Sequence, residues 1–149
     1  MNQIEILENI DKQLRILNLD QKYYTMEIMN VDTPSLLYAG QTREIIDQDE
    51  EGFLVAVSAA FSDPNAKVRV YVDDFSAVSS PADLLRFGLI AYNPRTFWLA
   101  KYDDDDKVYD VWFTPSPYMH YYNNIRVYIS APEDRNISYS YSAYRYVRR

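Results

Sequence analysis

The chain has 149 residues, a formal net charge of -7 and a pI near 4.6, so an electrostatic grip on nucleic acid or an anionic lipid surface is not expected. Apolar residues make up 48% and charged residues 25%, the balance of a globular domain large enough to build its own core. There is no cysteine, which removes disulfides, zinc–thiolate sites and thiol catalysis, and the fifteen tyrosines are the most unusual count.

Leu7, Ile10, Leu14 and Leu17 recur at spacings of three, four and three and predict an amphipathic helix over residues 1–20. Glu5, Glu8, Asp11, Lys12 and Arg15 occupy its other faces. Such a stripe either packs on its own domain or forms a short oligomeric seam, serving as an anchor. Charges every few residues argue against a cleavable leader, and no window reaches the ~18 apolar residues of a membrane helix.

Residues 21–149 read as one β domain, because from Tyr23 the period changes to two. Strands are predicted over 23–29 and 35–40. In GFLVAVSAAF, the alternation places Phe53, Val55, Val57, Ala59 and Phe61 on one face. Val68, Val70 and Val72 mark the next strand, Phe97 and Leu99 another, then Tyr109, Val111 and Phe113, then Ile125, Val127 and Ile129. In the last strand Ile137, Tyr139 and Tyr141 share a face before the pattern slips to Tyr144 and Tyr146, which predicts a bulge near Ser142 and Ala143. Ser80, Pro81 and Gly88 bracket a short inserted helix with the expected cap, first-turn proline and terminal glycine. Eight short strands without a βαβ rhythm give an all-β fold: an antiparallel β-sandwich, jelly-roll-like, with two helical additions.

Chemistry is sparse. His120 is the single histidine, and no G-x-S-x-G nucleophile turn accompanies it. Asp47 to Gly52 opens like a calcium loop, but Ser58 stands where the bidentate glutamate belongs, so a solvated loop is expected. Asp103 to Asp106 read as an exposed hairpin tip. No catalytic residue, metal site or cofactor is expected, and the chain is not predicted to be an enzyme.

Aromatic surface remains. The tyrosines and tryptophans exceed what a core of this size should hide, and such side chains suit protein–protein contacts. Residues 126–149 hold five arginines against Glu133 and Asp134, a basic stretch on an acidic body. The predicted interface therefore comprises the helical stripe together with Tyr139, Tyr141, Tyr144, Tyr146, Arg145, Arg148 and Arg149. The alternative is a carbohydrate- or receptor-binding module in which Trp98, Trp112 or Tyr118 stacks on a sugar ring.

Two stretches carry a resemblance. FTPSPYMHYYNNIRVYIS followed by ISYSYSAYRYV, and GFLVAVSAAFSDPNAKVRVYVDD with its V-x-V-x-V-D strand, resemble small β-sandwich virion structural proteins of tailed bacteriophages. The likeness spans roughly residues 52–147. It implies a jelly-roll-like capsid decoration, neck, tail or fibre-attachment component. Such a protein resides in the virion as a homo-oligomer, contacts other virion proteins and is non-catalytic; the acidic charge separately gives no expectation of nucleic-acid or membrane partners.

Overall fold

The computed structural model describes residues 2–21, 24–88 and 97–148, with the helix path but not the side chains over 13–21. Helix α1 (Gln3–Gln21) begins with a reciprocal cap. The Glu5 N–H donates to Asn2 Oδ1 at 2.9 Å, and the Asn2 N–H donates to Glu5 Oε2 at 3.2 Å. Strands follow as β1 (Tyr24–Leu37), β2 (Thr42–Gln48), β3 (Gly52–Phe61), β4 (Lys67–Val72) and β5 (Phe75–Ser79). Then come helix α2 (Pro81–Arg86), β6 (Phe97–Asp103), β7 (Val108–Phe113), β8 (Met119–Tyr121), β9 (Ile125–Ser130) and β10 (Ile137–Arg148).

Among the described residues all pairings are antiparallel and form two sheets. One has the order β1-β10-β3-β7-β6, with β8 continuing along β3 beyond the end of β7; the other has the order β2-β9-β4-β5. Each sheet interleaves early and late strands, so β10 lies between β1 and β3, and β9 between β2 and β4. This is the jelly-roll-like sandwich expected, with β6 and β8 as additions to the larger sheet.

The core is what period-two alternation dictates. Val68, Val70 and Val72 face Ile125, Val127 and Ile129 across the β4–β9 ladder, all essentially inaccessible. Leu54, Val57, Phe61, Phe113 and Ile137 fill the opposing layer. Each large side chain buried this way contributes about 1.5–3 kcal/mol. Helix α2 adds Leu84 to this core; its cap is Ser80 Oγ accepting from the Asp83 N–H at 3.2 Å.

Three expectations are corrected. First, among the described residues ten strands form rather than eight: the segments expected at 23–29 and 35–40 fall in one strand, Tyr24–Leu37, irregular between Val31 and Ser35, and β2, β5 and β8 are new. Strand β2 was hidden by its charges, since Ile46 is its one buried side chain. Strand β5 lies at a sheet edge and turns only Phe75 and Ala77 toward the core, neither of them fully buried, and β8 is three residues long.

Second, the phase of β3 changes midway. Its inward residues are Phe61, Ala59 and Val57, then Leu54 and Gly52, because the pairing with β10 skips a residue between Ala56 and Leu54. Phe53 and Val55 are therefore only half-buried. Third, the predicted bulge in β10 is absent. Its pairing with β1 runs without a break from Arg148 to Tyr141, and the irregularity belongs to β3. Ala143 and Arg145, not Tyr144 and Tyr146, continue the inward face.

Candidate functional site

The C-terminal strand follows from that register. Tyr139 is buried and Tyr141 packs against the core, their rings stacked 6.3 Å apart and nearly parallel. Tyr144 and Tyr146 stand half-buried on the outer face beside Ile28 and Met26 of β1. Arg145 is 2% exposed and so is an interior side chain, not a surface contact. Its guanidinium donates to Glu50 Oε1 at 2.6 Å, to Glu27 Oε1 at 3.0 Å and to the Tyr121 hydroxyl at 3.4 Å. Arg148 donates to Glu51 Oε2 at 2.7 Å, and Arg149 lies outside the described residues.

The acidic segment 47–51 is the counterpart of these cations. Arg126 of β9 holds Asp47 at 2.6 Å and also Asp49. Glu50 takes Arg145, and Glu51 takes Arg148, the Tyr24 hydroxyl and His120 Nε2, the last at 3.0 Å. The Arg148 contact, with those of His120 and Tyr24, holds the Glu51 carboxyl below its ordinary range despite partial burial. Oxygens that resembled a calcium loop in the sequence are thus spent on guanidinium groups. Sequence reading missed this because the partners lie far apart along the chain, Glu50 and Arg145 being 95 residues distant.

His120 serves this same corner. Its ring stacks on Phe53 at 4.4 Å and packs against Tyr122 at 4.2 Å. Among the described residues, no group of three or more histidine, aspartate and glutamate side chains is placed to hold a metal ion. Asp103 to Asp106 form the β6–β7 hairpin tip as expected: the Asp103 carboxylate accepts the N–H groups of Asp105 and Asp106 at 3.0 Å.

Trp98 and Trp112 meet across β6 and β7, stacked with centroids 6.0 Å apart. Trp98 donates its indole N–H to Thr114 Oγ1 at 2.9 Å, and Trp112 donates to Asp110 at 3.3 Å. Burial pushes the Asp110 carboxyl up, against the pull of Trp112 and Lys101. Tyr118 is not part of this pair. It packs on Tyr146, which lies opposite Phe53, whereas Trp112 lies opposite Ser58 farther along β3.

The surplus of rings is absorbed largely in pairs like these on the outer faces, while Tyr38, Tyr118 and Tyr122 are at least half exposed. The described part of the N-terminal stripe is left open. Leu7 is 64% and Ile10 48% exposed, with Ile4 and Ile6 also exposed. Leu14 and Leu17 fall among the side chains that are not described. No helix is long and apolar enough to cross a membrane among the described residues. No protein-family model matches the chain, and no curated protein matches it either.

Proposed function

We propose that this protein is a non-enzymatic virion structural component, a jelly-roll-like unit that works in multiple copies through protein–protein contacts. One observation carries the reading: a capped amphipathic helix presents Leu7 and Ile10 to solvent although the sandwich beside it has a complete core. Exposed apolar residues at a/d spacing lower their free energy by meeting an equivalent helix, which makes a seam between copies the natural cover. Exposed Met26, Ile28 and Leu36 on the edge strand β1 extend the apolar surface a neighbouring shell or tail subunit would meet.

Size-exclusion chromatography with light scattering tests this on the full chain and on a chain lacking residues 1–20. The full chain is expected to be oligomeric and the shortened one monomeric. A monomer in both cases that also fails to bind purified phage particles overturns the proposal. A second reading, a carbohydrate- or receptor-binding module, is favoured by the stacked Trp98–Trp112 pair with Asp110 beside it. A glycan array separates the two, since a flat response removes the second.

A further inference from the structure

We propose that the outer face of the β2-β9-β4-β5 sheet carries a binding site for an acidic saccharide, a pyranose bearing a carboxylate. A groove of about 390 Å³ lies on this face. That volume falls within the ~300–1,000 Å³ typical of small-molecule sites. Alternation builds its floor. With Val68, Val70, Val127 and Ile129 committed to the core, Lys67, Arg69, Tyr71, Tyr128 and Ser130 must point outward. Register then sets Ser130 between Thr42 and Lys67, and Tyr128 opposite Arg69.

Turns close one end. The Gly40 N–H donates to the Pro132 carbonyl at 2.8 Å, and the Ala131 N–H donates to the Gln41 carbonyl at 2.9 Å, fastening the β1–β2 turn to the β9–β10 turn. Gly40 has φ 73, a left-handed conformation suited to glycine, and Glu133 lies across it. Asn65, from the β3–β4 turn, completes this wall.

The chemistry of the lining selects the ligand. Arg86, Arg126, Arg135, Arg145 and Arg148 each hold a carboxylate. Lys67 and Arg69 are exposed and make no ion pair among the described residues, so two cations face the groove of an acidic protein uncommitted. They suit a carboxylate, which a guanidinium grips with two parallel hydrogen bonds. Tyr71 and Tyr128 meet edge to face at 5.9 Å and offer ring surface for the apolar side of a pyranose. The paired hydroxyls of Thr42 and Ser130, 3.1 Å apart, and the Glu133 carboxylate suit sugar hydroxyl groups. An acidic peptide fits less well. Strands β9 and β4, which form the floor of the groove, are paired on both sides, so the floor offers a peptide no free backbone ladder to join.

The test is an NMR titration of the isotope-labelled full chain with two matched pairs: tetragalacturonate against its methyl ester, and sialyllactose against lactose. At least one acid is expected to move the amide signals of residues 67–71 and 128–133, with its neutral counterpart about tenfold weaker. The double variant Lys67→Gln, Arg69→Gln should weaken the acid about tenfold while leaving the rest of the spectrum in place. Tyr128→Leu should weaken it through loss of ring contact. No response to either acid overturns the proposal, as does an equal response to the neutral forms. So does binding of inorganic sulfate or a tetra-aspartate peptide as tightly as the sugar acid, or a response centred on Trp98 and Trp112 instead.

Discussion

The N-terminal helix and the C-terminal strand treat their dominant side chains in opposite ways. The helix holds Leu7 and Ile10 in solvent, whereas the strand carries Arg145 into the interior. Position in the topology accounts for both. Strand β10 is enclosed between β1 and β3, so every second residue must face the other sheet whatever its polarity, and the Arg145 charge is tolerated because Glu27 and Glu50 meet it. Helix α1 precedes the sandwich, whose core is already filled by strands and α2, and Leu7 and Ile10 have no part in that core. A charge can thus be more structural than a leucine.

The largest expected effect breaks the buried side of this contrast. Arg145→Ala should destabilise the fold by about 3 kcal/mol, the lower part of the range for a broken buried pair, since both glutamates reach water. Urea unfolding measures it, and Arg145→Met, which keeps the volume without the charge, should recover part of the loss. Arg148→Ala, at an exposed pair, should cost under about 1 kcal/mol by the same measurement.

Gly52→Ala sharpens the same corner. A Cβ there would collide with the Tyr146 carbonyl oxygen and the Tyr121 hydroxyl, and overpacking of this kind costs about 2 kcal/mol. A variant as stable as the parent would mean that this corner is loosely packed.

Asp73 supplies the pH dependence. Burial works against its charge, but three N–H donors, from Tyr122, Asn123 and Asn124, outweigh that and hold its carboxyl below the ordinary 3.8. A folded-state pKa below the unfolded one gives stability that is fully present above pH 3.8 and lost as pH falls through the lower folded value. Glu51 behaves likewise from its ordinary 4.5. Asp73→Asn keeps a residue tolerant of the φ of 50 and should cost about 1 kcal/mol near neutrality. Its unfolding free energy should also fall less steeply in acid than that of the parent.

Smaller still is the Tyr109 phenol, pushed up to about 12 by its 2.6 Å hydrogen bond to Asp104 and by burial. Asp104→Asn should bring its titration back toward 10.0, read by ultraviolet absorbance in alkali, with little change in stability. The smallest effect on folding belongs to the helix. Leu7→Asp with Ile10→Asp should leave the unfolding free energy of the sandwich within about 0.5 kcal/mol of the parent while dispersing the proposed oligomer. Loss of folding in that pair would show that the helix is covered by its own domain after all.

Much of the fold was legible in local pattern. The valines of β4, the isoleucines of β9 and the Ser80-Pro81 cap of α2 each commit a short segment to one geometry through neighbours a few residues away. Asn2 and Glu5, at the spacing of a capping box, are an equally local signal. The candidate sites were less legible. Tyr144 and Tyr146 mimic a phase slip because aromatic residues suggest an inward face, whereas the small Ala143 and the charged Arg145 hold the inward positions. The groove gave no sequence signal, since Thr42, Lys67 and Ser130 come from three strands and meet only through register.

By itself the sequence determined the all-β class, the two helices, the hairpin tip at 103–106 and most of the core, because alternation, capping and turn chemistry act over a few residues. Tertiary structure alone decided which arginines are structural, which remain uncommitted, and which apolar surface lacks a cover. Those outcomes depend on groups brought together from distant parts of the chain, where burial and pairing are settled by strand order and register.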